Sequence, residues 1–435
     1  MSPAQKWEGS REGKALERPY PAVTYAGDGR PHPASPYAGE EKTSPALIRE
    51  GFREGKALER PYPASPYAGE EKTSPALRWE GETLCSLYVH VPFCERKCGY
   101  CSFYSVMKYE ERISSWLEGI AREAEKYSGA GIQTLYIGGG TPSVLPLTQW
   151  HSLMTTLHAH FDLSSLTEST CEANPNSLTP ELVNFLKDNG FTRISLGVQS
   201  LNDDELRTLG RIHDSRQALQ AMQIVKDSGL SLSCDLIFAI PGQTLRTWDY
   251  SLRTVMNYAG HISTYQLTLE PDTPLAQNYN NESLNTAGYA LYRYAQYMLP
   301  RHRFTQYEIS SFAPDGQECR HNIAYWHQDD VIALGPSAVS YIDGVRTANP
   351  RTLNAWLAGE EPEREVLSPR DRAVELAILS LRTKWGISRE DLLPELEAVI
   401  ASMPDDLFVK TPERIALTQK GMRLGNAIWC EMLGV

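Results

Sequence analysis

Three cysteines stand at C-x3-C-x2-C spacing in Cys94-Glu-Arg-Lys-Cys98-Gly-Tyr-Cys101. Spacing this short can bring three thiolates onto one small metal centre, and the number is informative. Structural zinc takes four protein ligands, and ferredoxin-type [4Fe–4S] clusters take four cysteines. A cubane held by only three leaves one iron open to a small-molecule ligand. A zinc ion completed by a distant histidine, or a loop of unrelated buried thiols, is the alternative that context has to decide. That context begins with Ser86-Leu-Tyr-Val-His-Val91, a strand-like run after which Pro92 turns the chain outward.

A ligand loop needs elements to hold it. From Cys85 onward, short β-branched runs alternate with helical patterns, the signature of parallel βαβ units. The strands are expected at 86–91, 134–137, 169–172, 193–197, 232–240 and 263–269, and the helices near 110–126, 147–160, 180–188, 215–228 and 245–258. Further residues with chemical capacity fall at the ends of these strands or in the loops after them. Gly138-Gly-Gly-Thr-Pro142 lets backbone approach a ligand closely. Glu172, in Glu172-Ala-Asn-Pro175, offers a bidentate acceptor suited to a diol. Gln199 offers a donor and an acceptor, and Arg211 suits a carboxylate. Asp235 is an acid in an apolar strand, where a charge requires a partner or a ligand. Each of these taken alone reads equally well as a structural feature.

Taken together, in this order after the cysteines, they resemble the radical S-adenosylmethionine (SAM) proteins. Over residues 85–435 the chain is similar to the oxygen-independent coproporphyrinogen oxidase superfamily. The resemblance implies an α/β fold, a partial (β/α)6 TIM-like barrel, with its site at the C-terminal ends of the strands. It implies a [4Fe–4S] cluster on Cys94, Cys98 and Cys101, with SAM on the open iron. It places Gly140 and Thr141 at the SAM amino group, Arg211 at its carboxylate, and Glu172, Gln199 and Asp235 among the remaining SAM-site residues. Tyr88 matches a family tyrosine that precedes the cluster loop, and Tyr100 sits between the cluster cysteines. His90 carries no assigned function.

Two branches share these motifs. The oxidase branch, which converts coproporphyrinogen III to protoporphyrinogen IX, has a fourth cysteine where this chain has Phe103. The HemW heme-chaperone branch has an aromatic residue there and a His-Asn-x-x-Tyr-Trp signature, matched by His321-Asn-Ile-Ala-Tyr-Trp326. The resemblance therefore implies a carrier that binds heme and passes it to a heme-accepting protein, with the oxidase as the alternative. A neutral imidazole at His321 can ligate heme iron, flanked by Tyr325 and Trp326. The same residue reads equally as a satisfied core histidine. Cys319 is a second candidate ligand, and Val339 stands where relatives often have histidine.

The rest of the chain bounds the reading. Eight cysteines among 435 residues form no disulfide framework, and clustered thiols then read as metal ligands in a cytoplasmic protein. A net charge of −12 argues against a nucleic-acid partner. With no apolar run near twenty residues, no membrane span is expected, so membrane contact is left only to an acceptor. Residues 1–80 contain near-identical repeats: Arg11–Ala22 recurs at 53–64 and Ser35–Leu47 at 65–77. This proline-rich tract has too little apolar surface to offset the entropy of ordering, and a disordered tail is expected. The radical SAM core is assigned to 81–300, an extension bearing the histidine signature to 301–365, and a small winged-helix-like domain to 366–435.

Overall fold

The computed structural model describes residues 84–107 and 109–434. The repeat tract, 1–80, lies outside the described residues. Six strands, β1 (Leu84–Val91), β2 (Gly131–Gly139), β3 (Glu168–Ala173), β4 (Arg193–Gln199), β5 (Ser231–Phe238) and β6 (His261–Gln266), run parallel and side by side in chain order. Nearly every residue of β1, and all of β4, is buried, as parallel strands covered on both faces require.

Between them run α1 (Ile113–Ala124), α2 (Leu147–His160), α3 (Pro180–Asp188), α4 (Asp203–Thr208), α5 (Ser215–Ser228) and α6 (Leu245–Val255). Local chemistry sets their ends. Thr179 accepts the Leu182 N–H ahead of Pro180 to start α3, and Asp214 with Gln217 forms a capping box on α5. Gly229, at φ 80°, terminates α5. Trp116, Trp150 and Trp248, one each from α1, α2 and α6, are fully buried in the main apolar core. The structure departs from the expected elements at several places, among them β2, which runs from Gly131 to Gly139. β5 stops at Phe238, because Ala239 adopts φ 62° just ahead of Pro241. β6 begins earlier than expected, with His261 in register with Ser233. The short α4 has no apolar periodicity to announce it; Asn202 starts it by accepting the Asp204 and Glu205 N–H groups.

The sheet does not end at six strands. β9 (Val331–Leu334) adds in parallel to β1, followed outward by β10 (Val339–Ile342), β11 (Val345–Ala348) and β12 (Glu363–Val366), all antiparallel to their neighbours. On the other edge β8 (Ser311–Ala313) pairs antiparallel with β6, and β7 (Thr305–Gln306) with β8. The result is a twelve-stranded mixed sheet. It is strongly curled, since residues of β2 through β6 line one interior chamber. Five flat strands would spread over roughly 19 Å, at about 4.8 Å per strand.

The connections carry α7 (Asn281–Met298), α8 (Arg320–Trp326) and α9 (Leu353–Leu357). The stretch after β12 has its own apolar cluster. It contains α10 (Pro369–Leu381), α11 (Pro394–Ser402), α12 (Gln419–Arg423), α13 (Gly425–Leu433) and a three-stranded antiparallel sheet of β13 (Ile387–Ser388), β14 (Phe408–Lys410) and β15 (Arg414–Leu417). Its contacts with the rest include Arg382, whose guanidinium lies over the Trp326 ring at 4.7 Å and pairs with buried Glu308 at 3.5 Å, the Lys384–Glu318 pair at 2.9 Å and the Arg346–Glu375 pair at 2.7 Å.

One buried carboxylate ties the added strands to the core. Glu123 of α1 accepts from the Gly335 N–H (2.8 Å), Asn349 Nδ2 (2.6 Å) and Trp356 Nε1 (3.2 Å). Each buried group left without a partner costs about 1–3 kcal/mol. Glu123→Ala is therefore expected to lower stability by roughly 3 kcal/mol in chemical denaturation. Glu123→Gln, which keeps an acceptor oxygen, should lose clearly less.

Candidate functional site

The cysteine loop leaves the C-terminal end of β1. Its stem is closed by Val106 N–H donating to Pro92 O (2.6 Å) and Cys94 N–H to Val106 O (3.1 Å). Its tip is held from elsewhere: Gly99 N–H donates to Leu209 O (3.0 Å), and Leu275 N–H to Gly99 O (2.9 Å). The three cysteines are half-buried and form no disulfide. Burial, then the neighbouring Cys98 and Cys94, pushes the Cys101 thiol up to about 12. Burial also raises Cys94, against a hydrogen bond to Thr141. A bound cationic centre would relieve this by stabilising the thiolates.

Among the described residues no three His, Cys, Asp or Glu side chains converge on a single ion. Three thiols from one short loop are the donor set that would hold a [4Fe–4S] group with one iron left open.

The turn after β2 lies against this loop. Gly140 donates its N–H to Val91 O (2.7 Å), and a Cβ on it would stand 2.6 Å from Phe93 O. Gly140 therefore serves the close approach of two backbones at the root of the cysteine loop, and its N–H is already engaged. Thr141 is buried, 3.5 Å from Cys94 Sγ, and accepts from Asn174 Nδ2 at 2.9 Å. Arg211, in the loop after α4, donates to Cys98 Sγ (3.3 Å), Asn174 Oδ1 (2.6 Å) and Gly197 O (2.8 Å). Gln199 closes the group. A Cβ on Gly197 would stand 2.9 Å from Gln199 Nε2, 3.0 Å from Asn174 Oδ1 and 3.4 Å from Arg211 Nη2. Burial and the neighbouring Cys98 thiol hold the Tyr100 phenol well above its usual range, and Arg211 opposes them. Cys98, Thr141, Asn174 and Arg211 line one cleft.

Glu172 and Asp235 lie deeper. Glu172 accepts from the Gly139 N–H (2.9 Å) and the Tyr136 hydroxyl (2.9 Å). Asp235 sits in the middle of β5, not at its end, and accepts from Ser195 Oγ at 3.1 Å. Burial, then the charge of Glu172, pushes its carboxyl well above the usual carboxylate range. Tyr88 is buried in the interior, 3.0 Å from His90 Nδ1 through its hydroxyl.

His321 is apart from all of these. It is fully buried on α8, at the opposite end of the strands, beside Thr134 near the start of β2 and Glu168 at the start of β3. Its ring stacks on Tyr136 at 5.0 Å and meets Tyr325 edge-on at 5.4 Å. Thr134 donates its hydroxyl proton to Ser86 (2.8 Å), so His321 Nδ1–H donates to Thr134 (2.8 Å) and Nε2 carries the ring lone pair.

Four residues of this architecture were not singled out from the sequence. Asn174 joins Thr141 to Arg211 from within the quoted Glu172–Pro175 motif. Tyr136 spans from Glu172 to His321. Glu168 and Arg193 pair at 3.0 Å with both side chains buried. The reasoning that drew notice to Asp235, an ion in a buried strand, applied equally to Arg193.

Residues 88–255 match the Radical SAM superfamily, which together with the parallel α/β sheet and the three-thiol loop defines a protein of that class. The chain is 31% identical to the heme chaperone HemW of Lactococcus lactis over 367 residues, 80% of this chain and 97% of that protein. It is 31% identical to the Bacillus subtilis heme chaperone HemW, covering 99% of it, and 32% identical to that of Escherichia coli, covering 90%. This chain belongs to the HemW heme chaperone family. Its fold is shared with the coproporphyrinogen III oxidase HemN of Escherichia coli, at TM-score 0.72 and 22% identity over 82% of this chain and 92% of that one. The superfamily implies a [4Fe–4S] cluster and SAM, and the donor set described above fits them.

Because the Gly140 Cβ position is filled by backbone, Gly140→Ala must displace the root of the cysteine loop. Its reconstituted iron and sulfide content is expected to fall severalfold, with the far-ultraviolet circular dichroism unchanged.

Proposed function

We propose that this protein is a cytoplasmic heme carrier that binds heme and hands it to an acceptor protein, with a SAM-ligated [4Fe–4S] cluster on Cys94, Cys98 and Cys101. The observation that carries this reading is the end-to-end similarity to proteins named heme chaperones, up to 99% of their length. Among the described residues no helix is long and apolar enough to cross a membrane, so membrane contact is left to the acceptor. The likeness to the oxidase HemN supports the fold alone, and Phe103 stands where that branch has its fourth cysteine.

When bound, the cluster and SAM would supply one-electron chemistry; the chain's residues bind and orient them. Asn174 hydrogen-bonds both Thr141 and Arg211, and Arg211 in turn donates to Cys98 Sγ. In the proposal Arg211 faces the SAM carboxylate, Gly140 and Thr141 shape the turn at its amino group, and Glu172, Gln199 and Asp235 offer polar contacts below. Tyr100 stands within the cluster loop, whereas Tyr88 lies in the interior against His90 and Tyr136, away from that loop. Losing one charged hydrogen bond costs roughly tenfold in affinity. Asn174→Ala should weaken SAM binding to the cluster-loaded protein by about that factor in equilibrium dialysis.

His321 is the proposed iron ligand, with its tautomer set by Thr134 and its lone pair on Nε2. Its burial beneath α8 means that ligation requires this helix to shift. Anaerobic titration with heme should saturate near one equivalent per chain, and His321→Ala should lose or alter the heme absorbance bands. An unaltered spectrum removes His321 as ligand. Absence of saturable binding by the wild type removes the carrier reading itself.

A further inference from the structure

The interior of the curled sheet, opposite the cysteine loop, is unlike the branched-aliphatic packing that fills most α/β barrels. Its chamber is lined by Thr170, Arg193, Ser195, Ser233, His261 and Ser263 from the strands, with Cys319 and Asn322 closing it from the α8 side. Arg193 is 5% exposed. Its Nη2 donates to Glu168 Oε2 (3.0 Å), Gln317 O (3.0 Å) and Glu318 O (3.1 Å). Its Nε and Nη1 have no hydrogen-bond partner among the described residues, which leaves three of the five guanidinium N–H donors. A buried cation with unmet donors, ringed by hydroxyls, is a site for an anion.

The neighbouring titratable groups do not oppose an anion. Burial, then Arg193, keeps His261 neutral. Asp235, bonded to Ser195 beside the chamber, has its carboxyl pushed well above the usual range. Glu168 is already committed, accepting from Arg193 and from the Arg320 and His321 N–H groups. Size narrows the ligand. With α8 closed the chamber has about 10 Å³ of free space, room for about one water, so a tetrapyrrole does not fit within it, and a carboxylate on a short methylene arm enters only as α8 shifts. Position narrows it further. Glu168 binds the Arg193 guanidinium with one oxygen and the His321 backbone with the other, so the chamber and the imidazole lie on either side of one carboxylate. Asn322, next to His321 in the same signature, faces the chamber.

We propose that this chamber receives a carboxylate arm, with Arg193 as its counter-ion. Resting on the heme reading above, that arm is a propionate of heme whose iron is presented to His321. The α8 segment is then the cover of the site: its N-terminal N–H groups and the carbonyls of Gln317 and Glu318 are what Glu168 and Arg193 hold in the closed state.

The test compares heme with its dimethyl ester, which keeps the iron and ring but lacks both carboxylates. Both are titrated in detergent into cluster-loaded protein, wild type and the paired variant Glu168→Gln/Arg193→Gln. The pair is exchanged together because removing Arg193 alone strands a buried carboxylate. Cluster absorbance, which reports the opposite end of the strands, checks that the variant is folded. Wild type should bind heme at least roughly tenfold tighter than the ester, the worth of one charged hydrogen bond, and the variant should bind the two equally. Equal affinities in the wild type, or a preference that survives in the variant, overturn the assignment while the carrier reading stands. Binding of neither compound removes both. A third arm adds millimolar sodium propionate. Stabilisation of the wild type but not the variant, with heme and ester bound equally, would give the chamber to free small carboxylates and overturn the heme assignment.

Discussion

A carboxylate and a guanidinium buried side by side at the N-terminal edge of the sheet set the terms for the rest of the molecule. Glu168 and Arg193 are each nearly inaccessible, and removing charge from water costs several kcal/mol per ion unless paired and hydrogen-bonded. The structure meets that cost by bringing chain to them from 150 residues away in sequence. The carbonyls of Gln317 and Glu318 and the N–H groups of Arg320 and His321 complete the shell. The α8 helix, and with it the His-Asn-x-x-Tyr-Trp signature, is therefore held under the sheet by this buried pair as well as by buried Trp326 and the His321–Tyr136 stack.

The two ends of the strands consequently do different work. The C-terminal end carries the cysteine loop, held at its root by the close approach of Gly140 and at its tip by Leu209 and Leu275. The N-terminal end carries His321 and its cover. Tyr136 connects them, its hydroxyl on Glu172 beneath the glycine turn and its ring on the His321 imidazole.

Much of this was legible in the chain. The parallel strands are short β-branched runs set between glycine, proline and capping residues, so their places followed from local pattern. The cysteine loop, the glycine turn, Gln199 and Arg211 stood at strand ends, where a parallel α/β sheet gathers its site, and the structure brings them together. The expected six strands proved to be the centre of twelve. β7 to β12 are two to four residues long, too short for a periodicity to show. α4 was hidden for the same reason. Asn174 was in view but unremarked, since nothing in its motif says that its amide spans from Thr141 to Arg211.

The sequence by itself determined the donor chemistry: three thiols without a fourth, the order of the site residues along the strands, and the histidine signature. These are properties of local composition and spacing, which survive without knowledge of the fold. Only the tertiary structure decided what stands next to what. It assigned the Gly140 N–H to Val91, put Asp235 in mid-strand, and set His321 at the far end from the cysteines. It also curled the sheet around Arg193, leaving three buried N–H donors facing a chamber. The physical reason is that burial and pairing depend on long-range contacts, which a residue's neighbours in the chain do not specify.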